Sequence, residues 1–136
     1  MYKKFFPLFF ALLVFTQVFA QDIEFKPLKK VFNKGEKVCF VLVNNSDTVI
    51  YLPNSAPWVV FEKEKPENIV YSPVALQVIT TLKKGDKKQW CWEQKNFEGI
   101  QVPSGEYVIR ITFFKGKQKV MKSFVIKINS TGSVEE

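Results

Sequence analysis

Residues 105–114 read Gly105-Glu106-Tyr107-Val108-Ile109-Arg110-Ile111-Thr112-Phe113-Phe114, and the register of their polarity decides the fold. In an extended chain Tyr107, Ile109, Ile111 and Phe113 share one side while Glu106, Arg110 and Thr112 share the other. A half-buried β-strand is therefore predicted, its aromatic and aliphatic side facing a core. Beyond Gly116, Lys119–Ile128 reads as the returning arm of a hairpin. The same two-residue period recurs upstream. Ile23–Phe32 is broken by Pro27, which cannot donate to a ladder and marks an edge or a kink. Lys37–Asn44 is a strongly apolar strand, Asn45-Ser46-Asp47 a turn of residues that bond their own backbone, and Thr48–Leu52 the expected return arm of a hairpin. Trp58–Glu62 resumes a strand that the charged stretch Lys63–Asn68 is expected to end. Ile69–Tyr71 and Val78–Leu82 follow, then the turn Lys83-Lys84-Gly85-Asp86 and the strand Lys87–Glu93. With no helical stripe and about eight short strands, the expected fold class is all-β, a two-sheet antiparallel sandwich.

Composition narrows the chemistry. The chain has 136 residues, 46% hydrophobic, 15% aromatic and 24% charged, which fits one globular domain and argues against disorder. It contains no histidine, so histidine acid-base catalysis, Ser-His and Cys-His pairs and histidine-ligated zinc are excluded. The formal charge of +7 raises nucleic-acid binding, but Arg110 is the only arginine, and readers of bases and phosphates favour the bidentate guanidinium. The lysines gather at turns instead, at Lys29-Lys30, Lys83-Lys84, Lys87-Lys88 and Lys115, Lys117 and Lys119, where long charged chains keep loops soluble and discourage edge pairing. No nucleic-acid partner is expected.

At the front, Lys3 and Lys4 precede an apolar run from Phe5 to Phe15 that Val18-Phe19-Ala20 closes. This is the layout of a secretory signal peptide over residues 1–20, cleaved before Gln21; the apolar run is short against the ~20 residues of a spanning helix. The expected organisation is thus a signal peptide at 1–20, a β-sandwich at 21–129 and a flexible tail at 130–136. The expected location is secreted or periplasmic, without stable membrane insertion after cleavage.

From Leu82 to Phe113 the text LKKGDKKQWCWEQKNFEGIQVPSGEYVIRITF combines a Gly-Asp turn, a tryptophan strand ending in Trp92, an acidic-Gly turn at Glu98-Gly99, and Val102-Pro103-Ser104-Gly105-Glu106-Tyr107. Together with Gly35-Glu36 before one strand and Asn44-Asn45-Ser46-Asp47 before the next, this resembles the intracellular proteinase inhibitor (BsuPI-like) family. The resemblance spans most of the chain beyond residue 20. It implies an immunoglobulin-like sandwich and, by name, proteinase inhibition, although an exported chain departs from an intracellular inhibitor. Trp90, Trp92, Gly105 and Tyr107 are expected to be structural, with Tyr107 as a corner tyrosine whose hydroxyl bonds back to the preceding loop.

Cys39 and Cys91 are the only cysteines, and export would place them where disulfides persist. If Trp90 and Trp92 face the core, Cys91 faces outward. In an immunoglobulin-like order Cys39 then lies opposite it, and a disulfide within one sheet is expected, with two unpaired cysteines as the alternative. Closing a loop of roughly 50 residues stabilises by about 4 kcal/mol. No calcium loop or other metal site, no cofactor and no catalytic constellation is recognisable, so a non-enzyme is expected. An inhibitor needs a rigid, extended segment. Pro53-Asn54-Ser55-Ala56-Pro57 is the first candidate binding segment, because its prolines restrict the backbone and would offer Asn54, Ser55 and Ala56 at a tip. Ser72-Pro73-Val74-Ala75-Leu76 is the second. The partner is a protein, with a protease as the specific candidate. The alternative is a non-inhibitory interaction or structural module of the cell envelope that binds a protein or glycan, with Val41, Val108 and Phe114 on outward faces as its surface.

Overall fold

The computed structural model describes residues 22–130; the expected signal peptide and residues 131–136 of the expected tail lie outside that range. Ten strands and no helix make up the described chain: β1 (Ile23–Pro27), β2 (Val31–Phe32), β3 (Val38–Asn44), β4 (Ile50–Leu52), β5 (Trp58–Glu62), β6 (Lys65–Tyr71), β7 (Thr80–Leu82), β8 (Lys87–Trp92), β9 (Gly105–Lys115) and β10 (Gln118–Ile128). One sheet has the order β1-β3-β8. The other runs β2-β10-β9, continues with β4 and β5, which both pair with β9, and ends with β7 against β4 and β6 against β5. All pairings are antiparallel except the short parallel contact of β2 with β10. The result is an immunoglobulin-like two-sheet sandwich.

The period-two reading of residues 105–114 sets the core. Tyr107, Ile109, Ile111 and Phe113 are buried on one side of β9, and Phe40 and Leu42 of β3, Trp58 and Val60 of β5, and Ile126 and Ile128 of β10 join them. Fully burying an aliphatic or aromatic side chain of this size contributes roughly 1.5–3 kcal/mol, so this layer is the main driving force for the fold. Phe40 meets Trp58 edge-on with ring centroids 5.0 Å apart, a contact that joins the two sheets. At the corner before β9, the Tyr107 hydroxyl donates to the Pro103 carbonyl at 2.6 Å, and Gly105 takes a φ of 145° that suits glycine.

Several local expectations are corrected. β3 and β4 do not form a hairpin, because they belong to different sheets. The buried Asn44 side chain donates to the carbonyls of Thr48 and Leu82 and accepts from the Ser46 amide and hydroxyl, turning the chain from one layer to the other. The charged stretch after Glu62 does not end the strand region, since most of it forms β6, an irregular edge strand. Val41 is buried although its side chain is on the outer face. Lys26 and Gln89 stand opposite it on the flanking strands. Val108 and Phe114 are half-buried rather than open. Trp92 is buried as expected, whereas Trp90 lies at the rim of the core. The strand count is ten rather than about eight, largely because two strands of the larger sheet are interrupted.

Candidate functional site

The interruption creates the surface of interest. Tyr51 pairs with Phe114 and Trp58 with Ile111, so six residues of one strand span the two that separate Phe114 from Ile111. The excess is the four residues Pro53–Ala56, which leave the ladder as a bulge between β4 and β5, while Pro57 rejoins it at Thr112. Beside it the edge strand is also split, into β6 and β7, and Ser72–Ile79 bridges the halves.

The two segments hold each other. The Ser55 amide donates to the Leu76 carbonyl at 3.1 Å, and the Leu76 amide donates to Ser55 Oγ at 2.8 Å. From the opposite sheet, the Trp90 indole N–H donates to the Ser55 carbonyl at 3.0 Å. Asn54 Oδ1 accepts from the Ala56 amide, and the Pro57 carbonyl accepts from Thr112. Pro53, Asn54, Ser55 and Ala56 are consequently half-buried and Pro57 is buried. The expectation of a projecting tip here is corrected: these residues support the neighbouring segment because their polar groups are spent inward.

The second segment is the exposed one. Val74 is fully exposed at 101%, Ile79 is 73% exposed and Leu76 is 69% exposed, with Val78 also open. Isolated apolar side chains on a surface are ordinary, but four within six residues of one anchored loop form a patch. The patch continues onto the loop after β8, where Phe97 is 60% exposed and Ile100 is open. Phe97 stacks on Tyr71 with centroids 5.8 Å apart, and Tyr71 in turn on Trp58 at 6.1 Å. Between the two loops lies a groove of about 440 Å³ lined by Trp58, Tyr71, Pro73, Cys91, Trp92 and Phe97, among others. Trp58 is buried, and its indole N–H has no hydrogen-bond partner among the described residues.

The loop that presents Phe97 is held from within. Gln94 is completely buried and has a φ of 63°, a left-handed conformation uncommon for a residue with a Cβ. Its Nε2 donates to the carbonyls of Asn33 and Glu36, both at 2.8 Å, and its Oε1 accepts from Gln101. Asn96 Oδ1 accepts from the amides of Glu98 and Ile100, and the Trp92 indole donates to the Lys95 carbonyl. The sequence reading missed Gln94, Phe97, Ile100, Val78 and Ile79. The acidic-Gly turn at Glu98-Gly99 located the loop, but nothing local distinguished its displayed apolar residues from core.

Cys39 and Cys91 stand directly opposite each other on β3 and β8 and are joined by a disulfide, with Cα atoms 4.0 Å apart. As expected, the bond lies within one sheet on its outer face, with Cys39 half-buried and Cys91 exposed. Such a bond is compatible with an extracellular or periplasmic location. Burial raises the Tyr107 hydroxyl to about 12, with the nearby Glu62 charge as the smaller cause. Among the described residues no three His, Cys, Asp or Glu side chains gather as a metal-binding group, and no helix is long and apolar enough to cross a membrane.

No family model matches the chain, the proteinase inhibitor family included, and no curated protein matches it either. Among solved structures it is similar to the ASH/PapD-like domain 7 of human CEP192, at 15% identity over 82% of this chain and 86% of that one, with a TM-score of 0.38. It is also similar to part of a β-glucosidase from Listeria innocua in complex with glucose, at 17% identity over 80% of this chain and 16% of that one, with a TM-score of 0.36.

Proposed function

We propose that this chain is an exported, non-catalytic protein-binding domain and that Ser72–Ile79 is its principal contact element. The single observation behind this reading is the display of Val74, Leu76 and Ile79 on a loop whose backbone is clamped at Leu76 by Ser55. A clamped apolar loop loses little conformational entropy on binding and gains from burying side chains that are otherwise in water. Proteinase inhibition, which the sequence resemblance implies, would use the same properties. Val74 and Leu76 would be presented to an apolar specificity pocket, with Ser55 as the inner support.

The non-inhibitory interaction module draws on the breadth of the surface. Phe97 and Ile100 extend the apolar patch beyond what one inhibitory loop requires. A panel of serine, cysteine and metalloproteases, assayed with purified protein, distinguishes the two. Inhibition that is lost in Val74→Asp and Leu76→Asp, with unchanged unfolding midpoints, supports the inhibitor. No inhibition, together with envelope-protein capture that the same substitutions abolish, supports the module. The absence of both inhibition and substitution-sensitive capture overturns the assignment of the loop.

A further inference from the structure

The free edge of β8 carries a second site. In an antiparallel pair, facing residues alternate between a wide pair that exchanges backbone hydrogen bonds and a narrow pair whose N–H and C=O groups point away from each other. Cys39 and Cys91 form a narrow pair, with Cα atoms 4.0 Å apart, and the Cys39 carbonyl indeed turns the other way to accept from the Leu28 amide at 2.9 Å. The N–H and C=O of Cys91 therefore point out of the sheet, and by the two-residue period so do those of Gln89 and Lys87. No strand lies beyond β8, and among the described residues no other backbone or side chain bonds these groups. In constant-type immunoglobulin sandwiches a fourth strand occupies this position. The β6 edge of the larger sheet is different, for it carries Pro66 and register irregularities that blunt it, whereas β8 is regular.

The vacant position is graded in chemistry. At its Cys91 end it opens on the groove of Trp58, Tyr71, Pro73, Trp92 and Phe97. At its other end Lys87 and Lys88 are exposed and form no ion pair among the described residues. We propose that β8 accepts an extended peptide strand from a partner protein, with an aromatic or leucine side chain in the groove and acidic side chains beside Lys87 and Lys88. The backbone ladder supplies affinity and the two ends supply selectivity. This inference rests on the reading of the chain as a protein-binding domain, but not on proteinase inhibition.

The test uses the oxidised protein and two synthetic seven-residue probes. One has phenylalanine near its first position and aspartates at the end; the other has the reverse order, so that antiparallel and parallel addition are both sampled. Binding of either probe is expected, with slowed hydrogen exchange at the Gln89 and Cys91 amides and a loss when lysines replace the aspartates. Gln89→Pro removes an outward N–H without touching the bonds to β3, and affinity is expected to fall about tenfold or more. N-methylation of alternate probe amides, which leaves the protein unaltered, is expected to do the same. The proposal is overturned if neither probe binds, if binding survives both Gln89→Pro and N-methylation, or if the edge instead pairs two copies of the chain in solution. Failure of both probes to bind, with loop function still lost in Leu76→Asp, would keep the proposed function while rejecting only the strand site.

Discussion

Tyr107 and Gln94 show how differently single residues reveal themselves. Tyr107 was legible from the sequence because a corner tyrosine follows a Pro-Ser-Gly turn at the head of an alternating strand, a local pattern with a local hydrogen bond. Its hydroxyl titrates near 12 in the folded protein against 10.0 for the free group, so the folded state holds the proton longer. The stability tied to that proton is complete below pH 10 and is lost as the pH rises towards 12. Tyr107→Phe is expected to remove this component of the alkaline loss while costing about 1 kcal/mol at neutral pH through the missing bond to Pro103. Paired denaturant titrations from pH 8 to about 12 measure both. Gln94 gave no comparable signal, since its three bonds reach Asn33, Glu36 and Gln101 and exist only once distant turns meet. Gln94→Ala leaves those groups without their partner, and a loss of about 2–4 kcal/mol in unfolding free energy is expected.

At the scale of elements, period two identified most of the strands, because alternation is dictated by the extended backbone itself. Pairing was another matter. A turn rich in Asn, Ser and Asp serves a hairpin and a crossover equally well, so the sequence offered no means to see that Asn44 sends β4 to the other sheet. The charged stretch after Glu62 misled for a related reason: an edge strand facing water on both sides needs no apolar residues, and Lys65-Pro66-Glu67-Asn68 has none. Within the apparent loop Pro53–Pro57, Pro53–Ala56 is a bulge on which the neighbouring loop rests, and its role as support depends on contacts from Leu76 and Trp90.

For the whole molecule, the disulfide and the core act separately. The Cys39–Cys91 bond lies on the outer face of a sheet whose inner face holds Phe40 and Trp92, so removing it leaves core packing in place. The double substitution Cys39→Ser and Cys91→Ser is expected to retain the strand spectrum and lose up to about 4 kcal/mol, mainly through a freer unfolded chain. A lower denaturant midpoint with a steeper slope checks this, and collapse of the fold would contradict it. The sequence alone determined the fold class, the inward side of β9, the corner at Tyr107 and the facing of the two cysteines, because each follows from the geometry of one extended segment or of two neighbouring strands. Only the tertiary structure decided which strands share a sheet, that Pro53–Pro57 supports rather than projects, that Val74, Leu76 and Ile79 stand in water, and that the edge of β8 is vacant. These depend on which distant segments come together, and a residue's polarity does not record what will or will not be packed against it.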